Sequence, residues 1–136
     1  MGSMSNYLEN KILDHIVGKT AYTIPAVYVA LCSSDPADSA TGAACNEVSN
    51  SAGYARYVTA GSDWDTAASG ATDNAVALTF SAATGAWGTV THFCLVDSGT
   101  YGAGNVLCHA SVSTSKVVGN GDVVQFAIEA LDITLA

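Results

Sequence analysis

The chain has 136 residues, enough for one domain, with twelve acidic residues against four basic ones and a net charge of −8. The bases Lys11, Lys19, Arg56 and Lys116 are scattered, which argues against nucleic acid and against an anionic membrane surface as partners. Charged residues make up only 12% of the chain, against about 25% in an ordinary soluble domain, so copies or partners are expected to cover part of the surface.

The opening Met1-Gly2-Ser3 reads as an expression scar (residues 1–3) and is set aside, leaving 4–136 as a single β-rich domain. No secretory signal is read, and no apolar run approaches the roughly 20 residues that a membrane-spanning helix needs. The first predicted element is a helix in "NYLENKILDHIVG", where Leu8, Ile12, Leu13, Ile16 and Val17 fall on one stripe. Asn6 is the expected N-cap, with Glu9 in capping-box position, and Gly18 the expected residue just past the C-terminus. A single amphipathic helix needs a surface to pack on, either a sheet or a neighbouring subunit.

Beyond the helix the apolar period falls to two. Strands are expected in "AVYVALC", "YARYVTA", "AVALTFS", "TVTHFCLVD", "NVLCHASVS", "VVQFAIE" and "LDITLA", separated by Gly, Asn and Asp. The 33–52 segment is the longest expected loop and is assigned to the surface. Short strands with this punctuation predict a mainly β fold, an antiparallel sandwich or barrel-like domain with one N-terminal amphipathic α-helix.

"THFCLVDSGTYGAGNVLCHA" holds His92, Cys94, Cys108 and His109 in near-mirror order. If its two strands form a hairpin with Val96 opposite Val106, then Cys94 faces Cys108, His92 faces Ala110 and His109 lies on the other face. Three readings stay open: buried free thiols, a Cys94–Cys108 disulfide, or a zinc site. Zinc is short of a ligand because His109 points away, and no metal or cofactor is expected. Cys32 and Cys45 are read as buried thiols, one in a strand and one in a loop.

Asp63, Asp65 and Asp73 lack EF-hand spacing. Glu9, Glu47 and Glu129 form no glycosidase-like pair, and GxSxG, P-loop and GxGxxG patterns are absent. The chain is therefore read as non-enzymatic. Trp64, Trp87 and Tyr101 are candidate interface anchors, together with Leu8, Ile12 and Ile16 of the helix. Trp64, Tyr54, Tyr57 and Tyr101 would be the stacking groups if the protein bound a host-surface glycan or protein.

The stretches "SNYLENKILDHIVGKTAYT", "VYVALCSSDP", "EVSNSAGYARYV", "LTFSAATGAWGTVTHFCLVD" and "NVLCHASVSTSKVVGNGDVVQFAIEALDITLA" run in order through most of the chain. In these the sequence resembles a family of small tailed-bacteriophage virion structural proteins often labelled phage tail fibre proteins. It departs from the family pattern at Cys94 and Cys108. The resemblance implies a virion protein assembled in the host cytoplasm, tail-fibre or tail-associated, that self-assembles and binds other phage virion proteins. Analogy suggests a homo-oligomer, a trimer in particular. Capsid decoration on the phage head and host-surface binding are the alternatives.

Overall fold

The computed structural model describes residues 2–135. In chain order its elements are β1 (Ser3–Met4), α1 (Asn6–Ile16), β2 (Val27–Cys32), β3 (Tyr57–Thr59), a 3-10 turn (Gly61–Asp63), β4 (Ala71–Thr72), β5 (Leu78–Thr79), β6 (Gly88–Val96), β7 (Val106–Val118), β8 (Gln125–Phe126) and β9 (Ile133–Thr134). A five-stranded antiparallel sheet of order β1-β7-β6-β2-β3 is the frame, joined by two-stranded ribbons β4-β9 and β5-β8. The fold is mainly β with one N-terminal helix, as expected, and the sheets do not close into a barrel.

Period-two alternation in the central strands sorts side chains onto two faces. One face, with Val29, Leu31, Phe93 and Leu95, meets Leu78, Phe80, Trp87, Val124, Phe126 and Leu131 in the main core. Phe80, Phe93 and Phe126 pack edge-to-face there, with centroids 6.0–6.2 Å apart. The other face, with Ala30, Cys32, Cys94, Val96 and Val106, builds a second, smaller core with Cys45.

Asn74 fastens the ribbons. It is wholly buried and donates to the carbonyls of Val76 (2.8 Å) and Ala127 (2.7 Å) while accepting from the Leu131 N–H (2.8 Å).

Three expectations are corrected: the helix N-cap, the hairpin register and the placement of the 33–52 segment. The helix N-cap is Ser5, whose Oγ accepts from the Leu8 N–H at 3.2 Å, and Asn6 is the first helical residue. Ser5 also donates to the Val106 carbonyl, which ties the helix start to β7. At the other end Gly18 holds φ +75° while Lys19 N–H reaches the Asp14 carbonyl, a closure that glycine allows without strain.

Residues 2 and 3 make backbone pairings with the domain. Ser3 pairs with His109 in the sheet and Gly2 bridges to Ile133. Met1 and Ala136 lie outside the described residues.

The hairpin register differs from the expected one. Val96 does face Val106, but a bulge at Leu107 slips the ladder by one residue, giving Leu95–Cys108, Cys94–His109, Phe93–Ala110 and His92–Ser111. One inserted residue reverses every face beyond it.

The 33–52 segment is not simply a surface loop. Pro36, Cys45 and Val48 are buried along it, because it lies across the second face of the sheet and supplies the apolar cover that face would otherwise lack.

Candidate functional site

Beneath the 33–47 segment the fold collects groups that are far apart in sequence. Cys32 ends β2, Cys94 sits in β6, and Cys45 comes from the loop that returns over them; all three are buried. Cys32 Sγ lies 3.6 Å from Cys94 Sγ, and the three sulfurs all fall within 4.8 Å of one another. Cys45 Sγ is 3.7 Å from the Gly42 carbonyl oxygen. Sulfur hydrogen bonds from Cys32 and Cys94, with Arg56 close by, hold Cys45 well below the usual thiol range. The same contacts leave Cys94 as a protonated donor, its pKa pushed far up.

The cover over these thiols is fastened by Arg56, whose side chain is fully buried. Its Nε and Nη2 grip the two Glu47 carboxylate oxygens at 2.9 and 2.8 Å. Nη1 donates to the carbonyls of Ser98 (2.7 Å) and Ala103 (2.9 Å), and Nη2 also donates to Gly42 (3.1 Å). Every guanidinium N–H is thus used, which is the condition for burying a charge. Tyr54 Oη donates to Glu47 at 2.7 Å and accepts from the Leu31 N–H at 3.1 Å, joining this network to β2. Burial first, then the Glu47 carboxylate, push the Tyr54 phenol far above its ordinary value.

His109 forms a second fastening. Its Nδ1 is 3.1 Å from Asp35 Oδ1 and its Nε2 is 2.9 Å from Asp38 Oδ1. Both ring nitrogens are therefore engaged by the loop.

The residues singled out from sequence are dispersed. Cys94 and Cys108 do not face each other: the bulge sends Cys94 to the second core and Cys108 to the main core, and all four cysteines are free. Burial pushes the Cys108 thiol up to about 11. Trp87 is a core residue rather than an interface anchor. It is 3% exposed, edge-on to Tyr54 at 5.3 Å, and its indole N–H is satisfied by the Ala52 carbonyl at 2.9 Å.

Of the stacking candidates, Tyr54 is buried, Tyr57 packs against Phe80 and Trp64 is half-buried against the main core. Tyr101 is exposed, with its ring edge-on to Tyr54. In α1, Leu8 leans on the main core and Ile12 is half-buried, whereas Leu13, Ile16 and Val17 stand in the open.

The thiol trio was missed in sequence because Cys32, Cys45 and Cys94 have no ligand-like spacing. Only the crossing of the 33–47 segment over β2 and β6 unites them. Among the described residues no helix is long and apolar enough to cross a membrane.

No curated protein matches the chain. Residues 3–134 match the family described as Podophage GP4 fiber I protein gp80. That match spans the sheet, both cores and α1, so the chain belongs to this podophage fibre protein family.

Proposed function

We propose that the protein is a non-enzymatic, tail-associated fibre component that self-assembles and docks on other virion subunits through the open end of α1. The observation that carries this reading is an unpartnered apolar patch at the helix end: Leu13, Ile16 and Val17, at i, i+3 and i+4 spacing, are 59%, 71% and 73% exposed. Grouped apolar side chains of this kind on an otherwise well-packed domain mark an interaction surface. The centre of the sheet is covered on both faces, and the helix end presents adjoining open apolar side chains, whereas Val58 of β3 and Val117 of β7 are exposed singly. Membership of a fibre protein family points to other virion components as partners. Closed cyclic symmetry is the usual way for identical copies to bury such a patch, and a trimer formed in the host cytoplasm before attachment fits a fibre.

The test is Ile16→Glu, because this side chain is free of intramolecular packing and the variant should fold normally. Multi-angle light scattering should give an oligomer for the natural sequence and a monomer for the variant. An unchanged mass with a folded variant refutes the role of the helix. Copy number per virion, from densitometry of purified particles, separates a fibre (few copies) from a capsid decoration (hundreds).

A further inference from the structure

The three sulfurs under the 33–47 segment are arranged as ligands without any spacing motif. We propose that Cys32, Cys45 and Cys94 form a trithiolate site for a soft, filled-shell metal ion, Zn(II) or Cu(I).

Three thiolates around one ion with metal–sulfur bonds of about 2.3 Å stand ~3.8–4.0 Å apart. Here the sulfurs span 3.6 Å at the closest pair and lie within 4.8 Å throughout, so an ion seats with only small side-chain rotations. The donors are all sulfur, which selects soft ions over calcium or magnesium. They come from two adjacent strands and a crossing loop, so ligation would join these elements.

Neither neighbouring imidazole belongs to the set: His109 spends both ring nitrogens on Asp35 and Asp38, and His92, opposite Cys32, has its Nδ1 2.8 Å from Thr91 Oγ1 and its Nε2 3.8 Å from Asp35 Oδ1. The Gly42 carbonyl oxygen lies 3.7 Å from Cys45 Sγ and already accepts from Arg56. Three-coordinate Cu(I) needs nothing more, whereas Zn(II) would recruit that carbonyl or a water as its fourth ligand.

The trio lies beneath a groove on the surface. Cys45 lines a surface groove of about 210 Å³ with Gly42, Asn46, Glu47 and Tyr101. On binding, the protons still carried by the ligating sulfurs pass to solvent as metal–sulfur bonds replace S–H bonds, and no electron is transferred.

The experiment is titration of the full chain, kept reduced with a phosphine, by Zn(II), by Cu(I) delivered from a weak chelator, and by Cd(II). Cd(II) serves as an optical probe because its thiolate charge-transfer absorbance grows with each sulfur bound. One equivalent per chain is expected, with proton release measurable in weak buffer. Cys108→Ala should leave stoichiometry and absorbance unchanged. Cys45→Ala, at a loop position that keeps the fold intact by circular dichroism, should lose about one-third of the Cd(II) absorbance and weaken binding at least tenfold. A tighter Zn(II) or a tighter Cu(I) arm identifies the ion, and either supports the site. No binding by any ion, binding insensitive to Cys45→Ala, or binding abolished by Cys108→Ala overturns it.

Discussion

Arg56→Met should be among the most damaging single substitutions in this chain, although it replaces a charged side chain by an apolar one at a buried position. The natural side chain is fully buried and Glu47 beside it is 4% exposed, so removing the guanidinium strands a carboxylate out of water. It also takes the donors from three carbonyls, those of Gly42, Ser98 and Ala103, which belong to two different loops. Breaking a buried ion pair from one side costs about 3–5 kcal/mol, a third or more of a typical domain's stability. With a urea m-value of about 2 kcal/mol/M, the unfolding midpoint should fall by about 1.5–2.5 M at unchanged slope. The double variant Arg56→Met, Glu47→Leu should recover much of the loss, because the stranded charge is then gone. Recovery should be partial, since Tyr54 and the three carbonyls still lack partners. A midpoint within about 0.5 M of the natural protein for Arg56→Met would refute the claim that this pair fastens the cover over the second face.

Two further outcomes follow from the same region and from the main core. Gly42→Ala should destabilise by about 1–3 kcal/mol or more. Its Cβ would fall 2.0 Å from the Ala103 carbonyl oxygen and 2.9 Å from that of Gly104, both backbone atoms that cannot rotate away. Gly61→Ala, which meets nothing within 4 Å, is the control and should leave the melting temperature unchanged. Cys108 should make stability fall at alkaline pH. Burial raises its folded pKa from 9.0 to about 11, so the native state keeps a proton that the unfolded chain releases. Its contribution is then complete below pH 9 and is lost as pH rises through about 11, a change of about 2–3 kcal/mol. Denaturation of Cys108→Ala and the natural protein in parallel should give curves that converge across this window, and a constant difference between them would contradict the assignment.

What could be read from sequence was whatever depends on short-range periodicity. The helix, the central strands β2, β6 and β7 and the mainly β class follow from apolar spacing, which is dictated by which face meets the core. Even the Val96–Val106 pair was legible, because it closes the hairpin. The bulge at Leu107 was not, and it alone decides that His109 rather than Cys108 stands opposite Cys94. Nor was the burial of the 33–56 segment legible. It contains few regular elements, and its core residues Cys45, Val48, Tyr54 and Arg56 have no period. They are placed by hydrogen bonds to distant carbonyls, such as Arg56 to Ser98 and Ala103. The candidate thiol site belongs to this second class. Each cysteine read alone is an ordinary buried residue, and only the tertiary crossing makes a group of three.

The distribution of charge says how an apolar patch on so acidic a protein can work. In the 6–19 segment that carries α1, Glu9 and Asp14 balance Lys11 and Lys19, so the whole net charge of −8 resides elsewhere. Arg56 is buried against Glu47, which leaves Lys116, whose Nζ donates to the Val123 carbonyl at 3.2 Å, as the remaining Lys or Arg outside the helix region. The patch of Leu13, Ile16 and Val17 therefore lies on a segment whose own charges cancel, in a strongly negative molecule. Two copies meeting at this patch bury apolar area while their acidic remainders repel through solvent. Raising salt shortens the screening length from about 10 Å at 0.1 M to about 3 Å at 1 M, which removes the repulsion and leaves apolar burial intact. Self-association measured by sedimentation should therefore tighten as sodium chloride is raised. If it weakens instead, attraction between Lys11 or Lys19 and a neighbour's acids holds the copies together, and the contact is not the apolar one drawn from the exposed helix face.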